Sequence, residues 1–177
     1  MVVLNPQDVG VLKQVGRSLY LLGKHDQALQ VYEEVLRCGV EDWEVYHNKG
    51  LSLRYLGRFD EAIAAFTAAN AIQRMDASFL QLGKVLELQE KHKEAVEVYL
   101  KALEFTPENT TILTALGLLY NRMGEAITAF EYLGKALTHD PKNGKVILAA
   151  GSIIQDNNDM DIALHKYRAA AALTPNR

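Results

Sequence analysis

The sequence has a single cysteine, Cys38. No disulfide can form within the chain, and a reducing, intracellular compartment is expected. No apolar run approaches a membrane span, and the N-terminus lacks the apolar core of a secretory signal, so direct membrane insertion is not expected. Basic charge is scarce: 19 Lys and Arg stand against 22 Asp and Glu, a net charge of −3. With no RNA-recognition signature and no zinc-knuckle spacing, nucleic acid is not an expected partner. A GxSxG elbow, a Gly-rich phosphate loop and a recognisable Cys–His motif are all missing, so neither catalysis nor a cofactor is expected. The five histidines, His25, His47, His92, His139 and His165, form no pair on one helix face and supply no convergent metal site. The acidic run Asp156–Asp161 lacks the central glycine and closing glutamate of a calcium loop, and reads as an inter-helix turn with Asp159 as a cap.

What is present is periodic. A small residue recurs as Gly16, Gly50, Gly83, Gly117 and Gly151, at gaps of 34, 33, 34 and 34. Alanine recurs in phase as Ala28, Ala62, Ala95, Ala129 and Ala163. Four residues on comes a mostly aromatic position: Tyr32, Phe66, Tyr99, Leu133 and Tyr167. Val35, Ala69, Ala102, Ala136 and Ala170 follow, and Pro107, Pro141 and Pro175 close the later units. Small residues suit two helices that cross closely, and an aromatic fills the space between neighbouring units. Gly23, Gly57 and Gly124 suit a left-handed residue ending the first helix. Asp8, Asp42, Asp76, Asn109 and Asn143 precede the first helices as expected N-caps. Asp76 stands 7 residues before its glycine where the others stand 8, so a local irregularity is expected at the start of the third unit.

This pattern resembles the tetratricopeptide repeat, a helix-turn-helix unit of about 34 residues. The spacing predicts an all-α chain of about five repeats, at 9–42, 43–75, 76–109, 110–143 and 144–177, in one domain. Residues 1–8 have the form of the end of a preceding repeat. The first helices are expected at 8–22, 43–56, 76–89, 110–122 and 144–157. The second helices are expected at 25–38, 59–72, 92–105, 125–138 and 159–172. The resemblance implies a right-handed α-solenoid of ten antiparallel helices, with the first helices lining a concave binding face. On that register the candidate protein-binding residues are Lys13, Arg17, Tyr20, His47, Asn48, Arg54, Tyr55, Lys84, Asn121 and Arg122. The N-terminal half is modestly basic, which would suit an extended acidic peptide. Helix 159–172 carries apolar residues with no following helix to cover them, so self-association through open ends is a further expectation.

Off-consensus phrases narrow the resemblance. They include VLNPQDVGVLKQVGRSLYLLGKH (3–25), DWEVYHNKG (42–50), RMDASFLQLGK (74–84) and FEYLGKALTHDPKNGKVILAAGS (130–152). Together they resemble the Bardet–Biedl syndrome 4 family, tetratricopeptide subunits of the BBSome, with further repeats expected before Pro6 and after Arg177. The resemblance implies a scaffold in ciliary membrane-protein trafficking. Its implied partners are other BBSome subunits and centriolar-satellite and dynactin components, and its implied locations are the cytoplasm, cilium, basal body and centriolar satellites. Two alternatives stand beside it: a peptide-binding co-chaperone adaptor, and the regulatory repeat array of a larger enzyme. Of the five positions of the co-chaperone carboxylate clamp, Lys13 and Asn48 match, while Arg17, Ala77 and Gln81 depart.

Overall fold

Apolar side chains at i, i+1, i+4 and i+7 give each second helix one buried stripe, and the computed structural model shows what that stripe covers. The structure describes residues 3–157, 168–169 and 171–172. Among these residues there are nine α-helices and no strand. The first helices of the repeats are α1 (Pro6–Leu21), α3 (Trp43–Tyr55), α5 (Asp76–Leu88), α7 (Thr110–Arg122) and α9 (Gly144–Asp156). The second helices are α2 (His25–Arg37), α4 (Phe59–Ile72), α6 (His92–Leu103) and α8 (Ala126–His139). The helix expected at 159–172 lies mostly outside the described residues, as does Asp159; positions 168, 169, 171 and 172 are helical.

Two compact units divide the chain, Met1–Glu90 and Lys91–Arg177. In the first, α1 to α5 pack in sequence around Ala28, Tyr32, Val35 and Val45, and around Leu53, Ala62, Phe66 and Ala69. The glycine column has a steric cause here. A Cβ on Gly16 would lie 2.7 Å from the Tyr32 ring, and one on Gly50 would lie 2.7 Å from the Phe66 ring. In the second unit, Leu113, Phe130, Leu133, Ala136, Val146 and Ile153 form the core. There the aromatic has moved one column earlier: Phe130 and Leu133 are both fully buried, so Leu133 occupies the aromatic position beside Gly117.

Helices α1, α3 and α7 end in the same turn. Gly23, Gly57 and Gly124 have φ of +79°, +75° and +83°. Their N–H groups bond back to Tyr20, Arg54 and Asn121, and the next residue bonds to Leu19, Leu53 and Tyr120 at 2.8–2.9 Å. This paired arrangement satisfies the orphan carbonyls and delivers the chain directly into the second helix. The third repeat has Glu90 at this place, with φ +60°. An L side chain in the left-handed region is strained, and Glu90 is exposed, so its side chain gains little packing in return. Replacing Glu90 with glycine is expected to raise stability by about 0.5–1 kcal/mol, net of glycine's entropy cost. A rise in urea midpoint with unchanged slope checks this.

Asp42, Asn109 and Asn143 cap their helices as expected, accepting bonds from backbone N–H groups at 2.8–3.4 Å. Two expected caps are corrected. Helix α1 begins at Pro6, not residue 8, and Asn5 is its cap; Asp8 is the reciprocal partner, its N–H bonded to Asn5 and its carboxylate to the Asn5 N–H. Proline at the first helical position needs no N–H partner, which is why the helix starts there. Asp76 is the first residue of α5, and Met75 stands at the cap without a side-chain bond. The missing residue shortens the link after α4, and the Met75 carbonyl accepts from both Ser78 and Phe79.

Candidate functional site

Seven of the ten candidate residues lie on α1 and α3, and the structure shows most of the charged ones tied to a neighbouring helix. The Lys13 ammonium lies 3.1 Å from both Asp42 and Glu44. Burial pulls its pKa down, but the bonds and charges of the two carboxylates outweigh that and hold it above the ordinary lysine value. Arg54 donates to the Gln81 amide oxygen at 2.8 Å, joining α3 to α5. His47 Nδ1 lies 2.8 Å from Ser78 Oγ, also across α3 and α5, and Ser78 is fully buried. Lys13–Glu44 and His47–Ser78 share an offset of 31 residues, slightly less than one repeat. Testing that offset for complementary pairs is the signal that reading each helix face alone misses.

Tyr20, Tyr55 and His25 form an aromatic cluster. His25 stacks on Tyr55 with centroids 4.7 Å apart, and Tyr20 meets both rings edge-on. The Arg54 guanidinium stands 5.8 Å from the Tyr55 centroid. Burial, then the bond to Tyr55, pushes the Tyr20 hydroxyl up to about 12. The Tyr32 hydroxyl is likewise pushed to about 12, first by burial and then by Glu44, with Arg17 opposing. Arg17 is exposed, while Asn48 and Lys84 are half-buried on their helices. In the second unit, Asn121 donates to Asp156 at 3.0 Å and accepts from Asn157, which joins α7 to the end of α9; Arg122 is exposed.

The residue types that sequence reasoning passed over on this face are apolar. The groove positions that give Lys13, Arg17 and Tyr55 also give Leu80, Leu51, Leu21 and Leu88 on neighbouring helices. Leu21, Tyr55 and Leu88 share one repeat position and are 73%, 60% and 53% exposed. Among the described residues no group of three or more His, Cys, Asp and Glu could hold a metal ion. No helix among them is long and apolar enough to cross a membrane. Of the clamp positions, Lys13 is held by two carboxylates and Gln81 by Arg54.

His47 is the titrating member of these ties. Its ring packs edge-on against Phe66 at 5.4 Å and Trp43 at 6.0 Å. Burial lowers its pKa below the ordinary 6.5, with Glu44 opposing. The neutral ring is therefore the folded form. Its contribution to stability is complete above pH 6.5 and is lost as pH falls through 6.5 toward the folded-state value. Melting curves from pH 7.5 to 5.5 are expected to fall more steeply for the wild type than for His47→Gln. Equal slopes would contradict this.

Family models described as tetratricopeptide repeat match residues 13–77 and 110–143, and one described as TPR repeat matches 83–124. Among curated relatives, the BBSome complex member BBS4 of Bos taurus is 48% identical over 95% of this chain and 32% of its own length. That of Mus musculus is 49% identical over 98% and 33%. The chain thus spans about a third of the length of these relatives. Among solved structures, MamA from Desulfovibrio magneticus superposes with a TM-score of 0.73 at 21% identity, covering 93% of each chain. A tetratricopeptide repeat protein from Parabacteroides merdae gives 0.77 at 17% identity, covering 96% of this chain and 68% of the other. These two likenesses concern the fold alone.

Proposed function

Since this chain is a tetratricopeptide-repeat protein similar along nearly its whole length to a third of a BBSome member, we propose that it is a non-catalytic binding scaffold and a subunit of a BBSome-type complex. One observation carries the reading. The fold is reached at 21% identity to MamA, yet identity to the Bos taurus relative is 48% over 95% of the chain. Repeat packing fixes small residues, aromatics and caps. Identity at this level over nearly the whole chain exceeds what the shared repeat fold alone requires.

On this reading the chain acts in ciliary membrane-protein trafficking, at the cilium, basal body and centriolar satellites. Its partners are other BBSome subunits, with centriolar-satellite and dynactin components as further partners. Within the first unit, the face formed by α1, α3 and α5 receives an extended segment of a partner. That face is supported by the exposure of Leu21, Tyr55 and Leu88 at one shared position of its three first helices. The test is to express the tagged protein in ciliated cells and identify what purifies with it. BBSome subunits in stoichiometric amounts are expected. Purification free of every BBSome subunit would overturn the proposal.

A further inference from the structure

We infer that the joint between α3 and α5 is a pH-sensitive hinge, which loosens when His47 gains a proton.

This joint differs from the others at one column. Five residues before the repeat glycine, α3, α7 and α9 carry Val45, Ile112 and Val146, each buried and apolar. Val45 and Val146 belong to the cores formed with α2 and α8. Helix α5 has Ser78 there, just as fully buried. A buried hydroxyl needs a partner, and His47 Nδ1, 2.8 Å away on α3, supplies it. The start of α5 is also less secure than those of α3, α7 and α9, because Met75 gives no side-chain cap.

The bond suits the neutral ring. There Nδ1 can accept the Ser78 hydroxyl hydrogen. In the imidazolium Nδ1 can only donate, and that hydrogen must find another acceptor at a side chain closed to water. The Met75 carbonyl beside it already accepts from the Ser78 and Phe79 N–H groups.

The surroundings do little to offset a charge on the ring. Phe66 of α4 and Trp43 wall it with apolar surface. Burial keeps the Tyr32 hydroxyl of α2 protonated up to about 12. Of the acids around the joint, Asp42, Glu44 and Asp76, Glu44 is the one that acts on the ring. Lys13 of α1 engages Glu44 at 3.1 Å, and Asp42 at the same distance, so both carboxylates already serve another cation. A protonated His47 is therefore better placed in water, and reaching water parts α3 from α5. Both are first helices of the proposed binding face, so that face loosens with them.

The test is amide exchange on the whole chain at pH 7.5 and 5.5, corrected for intrinsic rates. At pH 7.5, amides of α5 are expected to be about tenfold less protected than those of α4, because the joint opens before the unit unfolds. At pH 5.5 they are expected to lose a further factor of about three to ten. About tenfold is the ceiling one pH unit below the ordinary histidine value of 6.5. His47→Gln keeps a partner for Ser78 but does not titrate, so the further loss is expected to vanish. The ring proton signals of His47 in the wild type are expected to titrate with a midpoint below 6.5, a measurement that needs no variant. Protection of α5 equal to that of α4, no further loss at pH 5.5, a loss that persists in His47→Gln, or a midpoint at or above 6.5 would each overturn the hinge.

Discussion

Replacing Phe66 with alanine is expected to cost the first unit about 3–5 kcal/mol. The ring is fully buried, lies directly over Gly50, and takes the edge of His47 at 5.4 Å. Its own helix offers Ala62, Ala65 and Ala69 around it, which are too small to collapse into the space. A glycine beneath and alanines beside leave a cavity that cannot close. His47 also loses a wall of its enclosure, which loosens the bond to Ser78 on α5. The loss therefore extends beyond one repeat, as expected where stability is shared between neighbours. Chemical denaturation measures the total, and amide exchange on α3, α4 and α5 shows its spread. A loss below about 1 kcal/mol, of the size typical for half-exposed sites, would mean the ring is not a core element.

The reverse change is Gly50→Leu. A Cβ there would meet Phe66 Cε1 at 2.7 Å and Cζ at 2.8 Å before any further atom is added. The ring has no solvent-facing side to retreat to, so the helices must part, at a cost of about 1–3 kcal/mol or more. Gly117→Leu is expected to cost less. Its nearest obstacles are Leu133 Cγ at 3.0 Å and the Ala129 carbonyl at 3.2 Å, and a leucine side chain adjusts more readily than a buried ring. The two large effects are coupled. Gly50→Leu places volume where Phe66→Ala removes it, so the double variant is expected to lose less than the sum of the singles. Strict additivity, read from denaturation midpoints, would show that the two residues do not share one space.

The same columns explain what the sequence made legible. Helices α3, α4 and α7 run within a residue of their expected ranges, because Gly, Ala and aromatic positions recur in phase and each has a steric role. The turns at Gly23, Gly57 and Gly124 were readable because only a few residues tolerate positive φ. The caps at Asn5 and Met75 were less so. Asn5 and Asp8 are both good caps by chemistry, and Pro6 between them decides in favour of the earlier one. Glu90 was hidden because a glutamate in the left-handed region is set by the turn around it and not by its own preference.

The candidate site was legible in position but not in state. Register places Lys13, His47 and Arg54 on first helices. Their partners Asp42, Ser78 and Gln81 lie 27 to 31 residues away, on the next first helix or at its N-cap. Such pairing depends on how adjacent repeats stack, which a single helix face does not reveal. Once those side chains are paired, the exposed character of the first-unit face passes to Leu21, Tyr55 and Leu88.

The most direct measurement is affinity capture from ciliated cells with three forms of the protein. They are the wild type, Leu21→Glu/Leu88→Glu on the first helices, and Gln30→Lys/Thr67→Lys at exposed sites of α2 and α4. The account predicts BBSome subunits with the wild type and the second-helix variant, and their loss with the first-helix variant, at equal melting temperatures. Undiminished recovery with the first-helix variant would contradict it.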